Sequence, residues 1–136
     1  MTEEIHKFTK GMFLVGGFVP LTFTIAFFFL WEWFFIGVQQ WPYNDPAFPR
    51  IFAGATFTFA VMCFVTFFVA KTWSAAKIPL ITMLTFAWGG IPIMLYIQFT
   101  FPVHNWNWFN TLSYLAVGIG FIVALVLQLR MNKQKV

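Results

Sequence analysis

Few side chains in the sequence could take part in a reaction, and the most unusual of them is Glu32. It is the only charged residue inside a long apolar run, in the stretch LWEWFF with a tryptophan on each side. A carboxylate near the hydrocarbon of a membrane is costly unless it is paired or hydrated. Two interpretations stay open: a functional carboxylate that carries a proton or binds a ligand, or a structural one held by Arg50 or by loop backbone.

Arg50 is the second candidate, because it stands apart from the other basic residues. It begins the second apolar run, where a cation gains nothing from the helix dipole. Glu32 and Asp45 are the acidic residues expected on the same side of the membrane as Arg50, so the sequence predicts an ion pair between Arg50 and one of them. The pair would fix the conformation of the first outer loop, residues 39–50, which joins the first two apolar runs. The alternative role for Arg50 is to bind an anionic headgroup or substrate.

His104 and a rim of amides and tryptophans complete the predicted outer site. With Glu32 and Asp45, His104 could form a small metal site, although a lone loop histidine is usually just solvated, and we expect no metal and no cofactor. Such a rim is typical of a site that binds a sugar or a lipid headgroup. It is equally typical of tryptophans at the membrane interface beside polar loops. Its members are Gln39, Gln40, Trp41, Tyr43, Gln98, Asn105, Trp106, Asn107, Trp108 and Asn110.

Several other chemistries lack the residues that they need. The single cysteine, Cys63, excludes an intrachain disulfide and a CxxC redox motif. His6 and His104 are expected on opposite sides of a membrane, which excludes a bis-histidine haem. A di-iron site needs two Glu-x-x-His motifs, and Glu3 to His6 is the single one in the sequence; HExxH, GxSxG and glycine-rich phosphate loops do not occur. No catalytic set is left, so an enzyme is the less favoured interpretation.

The elements that must position these residues are apolar runs separated by short polar segments. Of the 136 residues, 60% are hydrophobic and only 9% are charged, whereas a soluble domain carries about 25% charged residues. Each run is near or above the roughly 20 residues that cross a bilayer as a helix. The sequence predicts a single all-α membrane domain over residues 1–136. Its approximate helices are 11–38, 51–70, 78–101 and 110–129.

The distribution of basic residues predicts the topology. With both termini and the middle loop in the cytoplasm, seven lysines and arginines lie inside and only Arg50 lies outside. Short loops make successive helices antiparallel neighbours, which gives an up-down-up-down transmembrane four-helix bundle. The basic residues form no continuous patch, so nucleic acid is not an expected partner. Membrane lipids are.

Helix packing in lipid depends on close backbone approach between small residues. Four small residues recur at helical spacing in the last run and predict its packing face: Ser113, Ala116, Gly120 and Ala124. A matching stripe is expected on the third helix at Thr82, Thr85 and Gly89.

One stretch has the pattern W-P-x-x-x-P-x-x-x-R-x-x-x-G. Its residues are Trp41, Pro42, Pro46, Arg50 and Gly54. The stretch resembles the first outer loop and second helix of small uncharacterised four-helix integral membrane proteins. The resemblance implies that the loop and Arg50 form a shared structural corner, and it carries no function.

Three functions follow as hypotheses. The first is a non-catalytic accessory or scaffold subunit of a larger membrane complex, packed against other subunits or copies of itself. The alternative is an outer-facing site, or a membrane enzyme, for a lipid or small hydrophobic molecule, with Glu32, Arg50 and His104 as its working groups. The third is a homo-oligomeric transporter whose path lies between copies.

Overall fold

The computed structural model describes residues 4–38, 40, 45–101 and 107–134. Within these residues the chain is helical and contains no strand, which confirms the all-α class. The elements are α1 (Lys7–Phe28), a π-helix (Glu32–Val38), α2 (Ala47–Val69), α3 (Trp73–Thr100) and α4 (Asn107–Gln134). The four α-helices are long and apolar enough to cross a membrane, which is compatible with a multi-pass membrane protein.

The first apolar run is divided rather than continuous, contrary to the single helix expected over 11–38. α1 ends at Phe28, residues 29 and 30 form a turn and bend, and the chain then continues as a π-helix. No proline or glycine marks the break. At 22 residues α1 already has the length that a bilayer requires, and hydropathy cannot show where a helix stops inside an unbroken apolar run.

The other helices begin before the expected ranges 51–70, 78–101 and 110–129, and α4 also ends after its range. α2 begins earlier because Asp45 Oδ1 accepts the N–H of Ala47 at 2.9 Å, and Pro49 lies in the first turn, where its missing N–H does no harm. α3 begins at Trp73, which is buried in the core. The apolar runs mark the part of each helix suited to hydrocarbon, whereas the helices themselves continue into polar residues.

Side-chain hydrogen bonds show which helix ends lie together. Thr9 at the start of α1 donates to the carbonyl of Ala124 near the end of α4 at 2.9 Å. Thr24 near the end of α1 contacts Thr56 of α2, with 2.9 Å between the two hydroxyl oxygens. The most extensive helix contacts are between α1 and α2 and between α3 and α4. Contacts between α1 and α4 join these two pairs, whereas α2 and α3 touch over a small area.

The core fills the space between the helices with aromatic and sulfur-containing side chains. Phe13 of α1 meets Phe121 of α4 edge to face at 5.6 Å between ring centroids, next to buried Cys63 and Met83. A side chain on Gly16 would place its Cβ 2.8 Å from Phe121, so glycine allows this approach. Beside Pro20 a cavity of about 20 Å³ remains, room for about one water molecule.

The buried face of α4 differs from the predicted small-residue stripe. Among Ser113, Ala116, Gly120 and Ala124, only Ala124 is fully buried; Ser113 and Gly120 are half-buried and Ala116 is exposed. Gly120 and Ala124 do approach α1, since a Cβ at Gly120 would collide with Met12 and the Ala124 carbonyl accepts from Thr9. Ser113 and Ala116 do not pack in the same way: with Gly120 they line a groove of about 270 Å³ between α1 and α4. The buried positions on α4 are Asn110, Thr111, Tyr114, Val117, Gly118, Phe121, Ala124 and Gln128.

Replacing Thr9 by valine tests the hydrogen bond between α1 and α4. The hydroxyl is fully buried and its acceptor lies on another helix, so we expect Thr9→Val to lower the free energy of unfolding by about 1 kcal/mol. Thr22→Val is the control, because the exposed Thr22 hydroxyl donates to Phe18 of its own helix. Denaturant unfolding of the purified chain in micelles measures both variants, and equal effects would contradict the expectation.

Candidate functional site

The structure describes Glu32, Asp45 and Arg50 among the predicted outer residues, and these three are not joined by ion pairs. Glu32 begins the π-helix and is exposed, and Arg50 is exposed in the first turn of α2. Within the described part of the chain, Arg50 pairs with neither Glu32 nor Asp45, so the predicted ion pair is wrong. Asp45 is used locally instead, because its carboxylate accepts the first N–H of α2.

The other members of the predicted outer site are only partly placed. Gln98 is half-buried near the end of α3, and its Oε1 has no hydrogen-bond partner among the described residues; the same holds for Thr111 Oγ1 at the start of α4. His104 and Trp41 lie outside the described residues. The described residues also contain no group of three metal-ligating side chains. The structure therefore does not assemble the predicted outer site from the residues that it describes.

A second group of polar side chains lies at the opposite end, around an open cleft where the start of α1 meets the ends of α2 and α4. Here a cleft of about 700 Å³ is lined by three lysines, Lys7, Lys10 and Lys71, together with His6 and Glu4. We call it the basic cleft. Its volume falls within the roughly 300–1,000 Å³ of small-molecule sites.

The segment that forms one wall of the basic cleft is held by Gln128. This residue of α4 is fully buried. Its Oε1 accepts the His6 backbone N–H at 2.7 Å, and its Nε2 donates to the Glu4 carbonyl at 2.9 Å and to Asn132 Oδ1 at 3.0 Å. A buried amide is stable only with such partners. One side chain thus fixes the chain just before α1 and satisfies its own polar atoms.

The lysines of the basic cleft lie at two helix ends of opposite polarity, the positive start of α1 and the negative end of α2. Lys7 and Lys10 stand in the first turns of α1, which contain no acidic residue and where the helix dipole is already positive. Lys71 follows the end of α2, where a cation is favoured. The Lys10 ammonium lies 5.7 Å from the centre of the Phe67 ring, a cation–π contact that directs it towards α2.

Sequence reasoning missed this site because it used the same lysines only to assign topology. Lysines at the end of an apolar run are required by orientation alone, so their presence does not indicate a cleft. The signal that could have been followed is Gln128, a lone amide inside the last apolar run. A polar residue at that depth needs partners from another element, and those partners are the residues that form the cleft wall.

Comparison with known proteins adds no relative: no protein family, no curated protein and no solved structure matches the chain.

Proposed function

We propose that the chain is a multi-pass integral membrane protein with up-down-up-down topology and both termini in the cytoplasm. The proximity of the start of α1 to the ends of α2 and α4 supports alternating helix directions. The same end carries the lysines of the basic cleft, and positive residues favour the cytoplasmic side.

Within the membrane, we propose a non-catalytic accessory or scaffold role, in which the chain packs against other subunits or further copies of itself. The observation that carries this proposal is the incomplete covering of α3. Only 17% of its most apolar 18 residues are buried by the rest of the chain, against 28% to 33% in the other three helices. α3 leans on α4 and barely touches α2, so one side of it is left open.

The open side of α3 has the chemistry of a helix interface. Thr85, Gly89 and Pro92 are exposed and Thr82 is half-exposed, at spacings that place them along one side of the helix. The stripe was expected to face α4, but among the described residues no side chain and no other helix lies within 4 Å of where a Gly89 Cβ would stand. Both threonine hydroxyls bond to carbonyls of their own helix at 3.0 Å. A partner helix can therefore approach closely without leaving polar groups unpaired.

A transporter built from one copy has little support in this geometry. The cavity beside Pro20 has room for about one water molecule, which is too small for a solute path. A path between copies would again use surfaces such as the open side of α3, so assembly is the first property to measure.

Replacing Gly89 by leucine tests the subunit role. We expect Gly89→Leu to reduce the partner protein recovered with the chain about tenfold, because a bulky side chain prevents close approach and such contacts contribute about 1–2 kcal/mol. The measurement is mild solubilisation from the native membrane, followed by native gels and mass spectrometry. A complex that contains only this chain would identify the partner as further copies.

Gly54→Leu is the matched control, since Gly54 is an exposed helical glycine of α2 that also has nothing within 4 Å. It should leave recovery unchanged. A wild-type chain that migrates alone, or two variants that behave alike, would refute the role assigned to α3.

A further inference from the structure

The basic cleft concentrates positive charge at a place where the backbone already adds to it. Lys7 and Lys10 are three residues apart on α1, which puts both on one side of the helix. Lys71 reaches the same cleft from the end of α2, and among the described lining residues Glu4 is the single carboxylate. Like charges in one cleft repel each other, and the start of α1 repels them further. An anion in the cleft would relieve both effects.

The remaining lining of the basic cleft is mostly apolar. Ile5, Ala70 and Met131 contribute apolar surface, and His6 is the polar member of this part. A lysine can bury its stem on such a surface while its ammonium stays hydrated. A cleft with ammonium groups and apolar walls, at the end of helices suited to hydrocarbon, matches an ionised group attached to an apolar or uncharged body.

We propose that the basic cleft binds one phosphate group, with the ammonium groups of Lys7, Lys10 and Lys71 as its donors. Lysine binds phosphate as a point charge with three N–H donors, and several lysines can surround the oxygens of one phosphate from different directions. The group can be carried by an anionic lipid headgroup or by a small soluble phosphate ester. This site uses α1 and α2 at one end of the bundle, so it stands or falls independently of the partner surface on α3.

The test uses the purified, delipidated full chain in a neutral detergent, with bound lipid counted by native mass spectrometry. The probes are dioctanoyl phosphatidylglycerol and dioctanoyl phosphatidylcholine. The second carries the same phosphate beside a fixed cation that the lysines repel. We expect one phosphatidylglycerol to bind in clear preference. The variant Lys7→Gln, Lys10→Gln, Lys71→Gln should lose about fivefold in affinity per lysine, roughly 100-fold in total, because each adds about 1 kcal/mol.

The matched control removes three other basic residues near the same end of the bundle: Lys77→Gln, Arg130→Gln, Lys133→Gln. All three are exposed and none lines the cleft, so binding should stay within about threefold of wild type. Equal losses in both triple variants, or no preference in the wild type, would overturn the proposal. If the cleft variant fails to fold, Lys71→Gln alone, outside the helices, should still show about a fivefold loss.

Competition separates the two sources of the phosphate. Glycerol 3-phosphate that displaces phosphatidylglycerol at similar concentration would support a soluble ester as the ligand. Its failure to compete, with the lysine dependence intact, would support a lipid headgroup. Lipid binding that stays unchanged when the three lysines are replaced would contradict either source.

Discussion

Replacing Gly90 by alanine is expected to lower the free energy of unfolding by about 1–3 kcal/mol, although the change adds only one methyl group. A Cβ at Gly90 would lie 2.5 Å from Cε1 and 2.6 Å from Cδ1 of Tyr114 on α4. Carbon atoms in contact prefer about 3.5–4.0 Å. Either the ring or the α3–α4 spacing must therefore change.

The ring of Tyr114 has little freedom to move. It is only 8% exposed and packs against Phe86, with 5.3 Å between ring centroids. The Phe86 ring in turn packs against the ring of Phe59 of α2, with 4.0 Å between ring centroids. Turning the tyrosine aside would disturb a chain of three aromatic rings that links α2, α3 and α4, which is why a small addition should have a large effect.

Gly89→Ala is the matched control for this prediction. The two glycines are neighbours in the same helix, yet a Cβ at Gly89 meets nothing within 4 Å. In the isolated chain we expect no loss of stability, and a gain of up to about 1 kcal/mol from the higher helix propensity of alanine. Denaturant unfolding of both variants in micelles gives the comparison. Equal stability of the two variants would show that α3 and α4 do not approach at Gly90.

This pair of glycines illustrates what the sequence can and cannot predict. Composition and run length were enough to predict four long apolar helices, because hydrocarbon demands about 20 apolar residues whatever the packing. The sequence also placed Gly89, the neighbour of Gly90, in an expected packing stripe on the third helix. It could not show that Gly90 faces α4 while Gly89 faces outward. In a membrane both the inside and the outside of a bundle are apolar, so hydrophobic periodicity does not identify the packed face.

The same limit explains the misplaced stripe on α4 and the missing ion pair of Arg50. Small residues were taken as the packing face, but Ala116 is exposed and the bulky Phe121 is fully buried. The opposite charges of Arg50 and Asp45 were taken to mean that the two side chains are paired, but the Asp45 carboxylate accepts the Ala47 N–H at the start of α2. Both depend on the rotation of helices about their axes, which residue types alone do not determine.

Replacing Gln128 by leucine is the second change with a large expected effect. Leucine is close to glutamine in size, so the core should stay filled, but the three hydrogen bonds that Gln128 makes with Glu4, His6 and Asn132 are lost. Each buried polar group left unsatisfied costs about 1–3 kcal/mol. Because the Glu4 and His6 groups are only partly buried and water can reach them, we expect a total loss of about 1–3 kcal/mol. The segment before α1 should also detach from α4.

The detachment can be measured apart from the loss of stability. Hydrogen exchange at the His6 amide, which now donates to Gln128, should become at least tenfold faster, whereas amides in the middle of α4 should change little. Asn132→Ala removes one of the three partners and should have a smaller effect. Gln134→Leu makes the same substitution at an exposed position of α4 and should leave the exchange unchanged.

The consequence for the basic cleft follows from the same contacts. If Gln128 fixes Glu4 and His6, then Gln128→Leu should widen the cleft and weaken the binding of phosphatidylglycerol while all three lysines remain. Unchanged exchange at His6 in this variant would mean that the wall is held by other contacts. Faster exchange with undiminished lipid binding would mean that the lysines act without a fixed wall, as a flexible cluster of charge at the membrane surface.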